Sequence, residues 1–450
     1  MAGLLHLLLP LLLAVSASAQ ELLSIDCGAS ENYTNANGIG WVVDGPFVQR
    51  GEAHSVENTS GVPREFATLR AFTSRKKNCY TIPVNPGGWK MQILLRASFY
   101  YGNYDGKATP PAFDLLFEGN RWGTVETTAG DVVFTEAIYS VGEATSVCVA
   151  QTKPGQFPFI STIEVRNLED DMYPNFDPNR WLLMRDRLAF GAARTIRYPD
   201  DRYDRIWMPA RVNGLAVLKN ESVVDVSPEA AKGRPPAAVF QAAVGTNSRS
   251  SPIALSTSLP SESTEVNINL YFAEMKQLRL TDVRAVDVTM DGVSLQAGSS
   301  AISAQEVLEF SISYRSANAS TSIVVQAASD STLPPIISAM EVFSVGDERQ
   351  ATDSGEVEIL GMMQQRWPVL TDWTGDPCLP TPYNWEWVAC SSDASPHISA
   401  LLLSGLGLSG EFPEFSPVAL STVEKVDLHN NSLSGPIPHA FGLMPNLKEL

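Results

Sequence analysis

Apolar and polar positions follow four different rhythms along this 450-residue chain. Residues 4–15 are almost wholly apolar and lead into Ala17-Ser18-Ala19. That pattern predicts a secretory signal over residues 1–19, and the run is shorter than the roughly 20 residues a membrane-spanning helix takes. From residue 20 to about 170, short runs rich in Val, Ile, Phe and Tyr (91–99, 113–117, 146–150 and 159–165) alternate with Gly, Asn, Asp and Pro turns. This predicts an antiparallel β-sandwich. Residues 185–346 run to the same rhythm, and the apolar segment between the two stretches carries Trp181, Leu182, Leu183 and Met184. So apolar a connection has to pack, which joins the two units into one block.

The second stretch copies the first. Phe113-Asp114-Leu115-Leu116-Phe117-Glu118-Gly119 answers Val286-Asp287-Val288-Thr289-Met290-Asp291-Gly292. Thr145-Ser146-Val147-Cys148-Val149 answers Thr321-Ser322-Ile323-Val324-Val325, and Ile160-Ser161-Thr162-Ile163-Glu164-Val165 answers Ile337-Ser338-Ala339-Met340-Glu341-Val342. Ser98 to Tyr101 stand where Leu270 to Ala273 stand, and Trp41 is set against Trp207. One offset of about 173 to 177 residues across separated blocks marks a tandem pair of related sandwiches.

After a polar stretch at 346–355, read as a hinge, Val357, Leu360, Met363 and Trp367 recur at helical spacing. Asp353 or Ser354 is available as the N-cap, and Pro368 stops the helix. Residues 373–390 then bring together Trp373, Gly375-Asp376-Pro377-Cys378, Trp385, Trp387 and Cys390. Beyond them Ile398, Leu401, Leu403, Leu406, Leu408, Gly410, Phe412 and Pro413 superimpose, 25 residues on, with Val423, Val426, Leu428, Asn431, Leu433, Gly435, Ile437 and Pro438. This is the leucine-rich-repeat pattern, with a third repeat opening at Leu447 and Leu450. A repeat array exposes its core at each end, so residues 347–396 read as linker, helix and disulfide cap, and 397–450 as the start of a solenoid.

Cysteine use and charge narrow the setting. With a signal at the amino terminus, Cys378–Cys390 is an expected disulfide and Cys79–Cys148 a second pairing, leaving Cys27 as a small buried apolar residue. Cys148 falls where the second copy has Val324, so a Cys79–Cys148 bond would be an addition to the sandwich. Asn-x-Ser/Thr acceptors stand at Asn32, Asn58, Asn220, Asn318 and Asn430. A net charge of −18 argues against nucleic acid and anionic membrane surfaces as partners.

Several stretches together resemble the plant malectin-like receptor kinases with leucine-rich repeats. They are Leu23-Ser24-Ile25-Asp26-Cys27-Gly28, the run from Arg96 to Gly106, Arg197-Tyr198-Pro199-Asp200-Asp201, Tyr203-Asp204-Arg205-Ile206-Trp207, the Gly375–Cys378 element and the repeats. The resemblance implies a mainly β chain in which tandem malectin-like sandwiches precede a capped repeat solenoid. It also implies a plasma-membrane receptor whose outer part is followed by one spanning helix and a serine/threonine kinase. The kinase signatures (a Gly-rich loop with its strand lysine, His-Arg-Asp, Asp-Phe-Gly) do not occur in these 450 residues, so no catalysis is expected of them.

Candidate chemistry follows from residue types. Tyr100, Tyr101, Tyr104 and Asp105, with Tyr271 and Glu274 as second-copy counterparts, could hold a sugar by ring stacking and hydroxyl recognition. Tyr100 and Tyr101 are neighbours on one strand end and face opposite sides, so at most one of them lines a site. The acid pairs Asp170-Asp171 and Asp200-Asp201 are adjacent in sequence, which is not the arrangement across a cleft that a glycosidase needs. Asp200-Asp201, next to Arg197, Arg202 and Arg205, reads instead as a turn held by ion pairs. His54, His397, His429 and His439 lack metal-site spacing, and no cofactor is implied. Lys425, Asp427 and His429 project from a repeat strand and offer an edge to a peptide or co-receptor. The reading is an extracellular module for a glycan or peptide ligand, at the outer side of the plasma membrane. The competing reading is a soluble secreted lectin or decoy that binds wall polysaccharide.

Overall fold

The computed structural model describes residues 22–84, 90–173, 175–220, 231–295, 300–303, 306–393 and 395–450, and the expected signal over 1–19 lies outside them. Among the described residues one sheet of eleven strands runs through both copies. In the first copy its order is Leu22–Asp26, Thr162–Asn167, Met91–Phe99, Val133–Val141, and in the second Trp181–Phe190, Ala339–Val345, Thr264–Phe272, Leu308–Ala317. The two quartets are equivalent strand for strand. They join where Val133–Val141 pairs with Trp181–Phe190, Ala137 opposite Leu183. The apolar connection is therefore the first strand of the second copy, and a boundary at residue 185 falls inside it. Gly40–Val43 lies parallel to Leu22–Asp26 as Met208–Ala210 lies parallel to Trp181–Phe190, which sets Trp41 and Trp207 in corresponding places.

Each copy packs a second sheet on the same side of the shared one. The orders are Lys77–Pro83, Ala144–Ala150, Ala112–Phe117, Asn120–Glu126 in the first copy and Ile253–Leu255, Ile323–Ala327, Ala285–Met290, Val293–Ser294 in the second. Period-two alternation decides which side chains enter the cores. Ile93, Leu95, Ala97 and Phe99 meet Phe113, Leu115, Phe117 and Val149 in one, while Val266, Ile268 and Leu270 meet Val286, Val288 and Val325 in the other. Burying each such Val, Leu, Ile or Phe side chain contributes about 1.5–3 kcal/mol. The residues between them, among them Leu94, Arg96, Glu136 and Ile138, face the opposite side of the shared sheet. There Leu168, Met172, Tyr173 and Tyr203 cover it.

In the carboxyl-terminal portion the helix and the Cys378–Cys390 bridge form, with two differences from what the spacing predicts. The helix spans Ser354–Arg366, and the Asp353 carboxylate accepts from the amides of Gly355 and Glu356. Leu360, Met363 and Trp367 are buried, but Val357 points outward because the helix rests on its Ile359 side. Residues 346–355 are not a free hinge. Arg349 donates to Glu118 at 3.0 Å and to the Ser140 carbonyl at 2.7 Å, and the Gln350 amide donates to Asn120. The Arg349 side chain and the Gln350 backbone thus fasten that polar stretch to the first copy. Cys378 is bonded to Cys390, and Trp373, Trp385 and Trp387 pack around the bridge. Val388–Cys390 pairs with Ile398–Leu402, which pairs in parallel with Lys425–Asp427, Ala400 opposite Lys425. Asn431 donates to the carbonyls of Leu403 and Leu428 and accepts from the Leu408 amide, so it ties neighbouring turns together.

Candidate functional site

The strand Met91–Phe99 delivers Tyr100 and Tyr101 to its end, and Gly102 then turns the chain with φ +48. A Cβ on Gly102 would stand 2.6 Å from Val56, so the turn needs glycine there. The turn brings Tyr101, Tyr104 and Asp105 together. Tyr101 is buried, and its hydroxyl donates to Asp105 Oδ1 at 2.5 Å. Burial and that carboxylate push Tyr101 up to about 12. Burial opposes the charge on Asp105, but the Tyr101 hydroxyl and Lys107 outweigh it and hold the carboxyl below its ordinary range. Tyr104 stands edge-on to Tyr101 with centroids 5.6 Å apart, and its ring also meets His54 and Phe159. Tyr100 and Tyr104 remain half-buried.

The second-copy counterparts do not repeat this. Tyr271 is wholly buried and donates its hydroxyl to Glu341 at 2.8 Å. Glu274 is buried against Arg284 at 2.8 Å and accepts from the Met275 amide. Both serve the interior. The acceptor asparagines Asn32, Asn58 and Asn430 are exposed, and Asn220 and Asn318 are half-buried. Lys425 and Asp427 are half-exposed on the repeat strand and His429 is exposed, but Lys425 is paired with Glu449 and His429 with Asp427.

Two features were beyond sequence reasoning. The first is a row of alternating charge across the covered face of the shared sheet. Glu164 pairs with Arg96 at 3.0 Å, Arg96 with Glu136 at 2.9 Å, Glu136 with Arg187, Arg187 with Glu341 at 2.7 Å, and Glu341 accepts from Tyr271. Burial opposes the charge on Glu136, but Arg187 and Arg96 overcome it and hold the carboxyl low. Asp204 closes the row from above, accepting from Arg166 at 2.7 Å and Arg197 at 2.8 Å. Burial works against that charge too, but Arg96, Arg166 and Arg197 together keep it ionised. Asp201 accepts from Arg205 at 2.9 Å and from the Trp207 indole at 2.8 Å. Asp201 and Asp204 are thus held inside the turn by arginines, while Asp200 is exposed and paired with Arg194. The second feature is a hollow of about 270 Å³ beside this turn, lined by Asp200, Arg202, Tyr203, Arg234, Pro235 and Pro236. Its two guanidiniums are already held by Glu169 and Asp171 of the inter-copy connection. These residues come from separate loops, so no local motif announces them.

Residues 25–345 match the family model described as malectin-like domain. The chain belongs to the malectin-like family. A probable leucine-rich-repeat receptor-like serine/threonine-protein kinase of Arabidopsis thaliana is 34% identical over 423 residues, covering 89% of this malectin-like chain and 48% of the kinase. An uncharacterized Arabidopsis thaliana protein is 33% identical over 359 residues, covering 77% of this chain and 68% of that protein. This chain spans about half the length of most of the curated relatives it matches. Among solved structures, the ANXUR1 extracellular domain from Arabidopsis thaliana superimposes with a TM-score of 0.58 at 15% identity, covering 73% of this chain and 100% of that one. FER, in a complex of the plant peptide RALF23 with FER and LLG2, superimposes with a TM-score of 0.59 at 15% identity, covering 73% and 98%. At such identity the likeness shows the malectin-like ectodomain fold. Among the described residues no helix is long and apolar enough to cross a membrane.

Proposed function

We propose that this chain is the extracellular ligand-recognition module of a plant receptor-like kinase. The observation that carries the reading is the alignment of 89% of the chain with 48% of a receptor-like kinase. Two malectin-like sandwiches, the first ending near residue 170 and the second opening with the strand Trp181–Phe190 and running to 346, present the ligand surface. The cap at 347–396 begins a leucine-rich-repeat solenoid that serves a co-receptor. The spanning helix and kinase belong to a part of the receptor outside these 450 residues. Two disulfides suit the oxidising secretory route such a module takes. A peptide ligand with a co-receptor is supported by the structural likeness to FER in its complex with RALF23 and LLG2. A glycan would meet Tyr104 and Asp105, where a half-buried ring stands next to an ionised carboxylate.

The test is calorimetric titration of secreted residues 20–450 with cell-wall oligosaccharides and, separately, with RALF23 peptide. Saturable binding of either supports recognition, and its loss in Tyr104→Ala assigns the surface. Absence of binding to both removes the ligand classes proposed here.

A further inference from the structure

The two copies have second sheets of identical strand order, and only the first carries the cap. Their outward faces differ accordingly. In the first copy Cys79 and Cys148 stand directly opposite one another and are bonded. With Leu116, Ala150 and Tyr383 of the cap they form a small buried cluster, separate from the sandwich core. In the second copy the same places hold Ala254 opposite Val324, with Thr289 next to it. Ala254 is exposed, and Val324 and Thr289 are half-exposed. The sandwich therefore closes its core without a bridge at this place.

We infer that the Cys79–Cys148 bridge is a docking seat for the cap, which holds the repeat portion at a fixed angle to the sandwich pair, and that the sandwich fold does not require it. Four contacts around the bridge carry this. Gly375 lies directly on the sulfurs, where a Cβ would stand 2.5 Å from Cys79 Sγ and 3.1 Å from Cys148 Sγ, with φ at +75. The Thr374 hydroxyl donates to the Cys79 carbonyl at 3.3 Å. Lys77, two residues before the bridge, donates to the carbonyls of Asp376 and Leu379 at 2.6 and 2.8 Å. Tyr383 lays its ring over the cluster and donates to Asp114 at 3.2 Å. Gly119, at the neighbouring strand turn, leaves just enough room for the cap, since a Cβ there would stand 3.0 Å from Asp376 and Leu379. Asp376 then accepts from both the amide and the hydroxyl of Thr352, which fastens the segment leading into the helix. A ligand on the sandwiches and a partner on the repeats consequently act on one frame.

Two variants of secreted residues 20–450 test the seat. Cys79→Ala with Cys148→Val installs the second copy's pair, and Gly375→Val keeps the bridge but blocks the surface above it. Hydrogen exchange and solution scattering are read together. The expected result in both is roughly tenfold faster exchange of the amides of residues 374–383, with a larger radius of gyration, while Met91–Phe99 keeps its protection. Retention of the cap in either variant overturns the assignment. Loss of protection in Met91–Phe99 in the cysteine variant overturns it as well, because the bridge would then be supporting the sandwich itself.

Discussion

Arg187, on the first strand of the second copy, donates to Glu136 on the adjoining strand of the first, so one wholly buried ion pair spans the junction. Its other partner is Glu341 at 2.7 Å. Removing one member strands a charge without water, which costs more than the pair itself contributes. Arg187→Met is expected to destabilise the sandwich pair by about 3–5 kcal/mol. Because the sheet is continuous, both copies should lose protection together in hydrogen exchange. Separate unfolding of the second copy with the first untouched would contradict the shared-sheet account.

Asp26 supplies a pH dependence. It is buried and accepts from the Tyr33 hydroxyl at 2.6 Å and the Thr68 hydroxyl at 2.7 Å. Burial, opposed by those hydroxyls, raises its carboxyl from 3.8 to about 6. The folded state therefore binds this proton more tightly than the unfolded state. Its contribution is fully present below pH 3.8 and is lost as pH rises through about 6. Asp26→Asn should gain roughly 2 kcal/mol relative to the parent between pH 4 and pH 7. Melting temperatures of both proteins at those two pH values check it, and an equal difference at each would refute it.

Tyr104 and Tyr271 should separate binding from stability. Tyr104→Ala removes a half-exposed ring and is expected to weaken glycan binding about tenfold, or 1.4 kcal/mol, with a small change in melting temperature. Tyr271→Phe removes a buried hydroxyl that donates to Glu341 and is expected to cost about 1–3 kcal/mol of stability with affinity unchanged. Calorimetry and thermal unfolding on the same samples distinguish them.

The helix gives the remaining prediction. Asp353 caps two amides, and Asp353→Ala should cost about 1 kcal/mol. Glu356 is buried and accepts from the Ile398 amide at 3.0 Å and the Thr422 hydroxyl at 2.7 Å, reaching two successive repeats. Glu356→Ala leaves that buried amide unpaired and should cost about 2–3 kcal/mol. Exchange at the amides of Ile398–Leu402 reads the loss directly.

Periodic features are legible in the chain itself. Strand runs such as 91–99, the helix after Asp353, the 25-residue leucine rows and the tandem offset of the sandwiches all rest on local chain geometry, which repeats in sequence whenever it repeats in space. Of the proposed ligand residues, Tyr101, Tyr104 and Asp105 lie within one turn and are found by adjacency. Tyr271 and Glu274 match them in sequence but enter the interior, because Glu341 and Arg284 claim them there. The 346–355 stretch reads as a hinge since polarity along a chain does not reveal a partner such as Glu118 or Asn120.

The sequence by itself determined the strand runs such as 91–99, the helix after Asp353, the duplication, the cap cysteines and the family likeness. Tertiary structure alone decided that the copies share one sheet, that Glu164, Arg96, Glu136, Arg187 and Glu341 form a charge row, and that the cap rests on the Cys79–Cys148 bridge. The physical reason is range. Propensity and periodicity act over a few residues, but burial sets the worth of a charge or a sulfur through whichever distant residues exclude water from it.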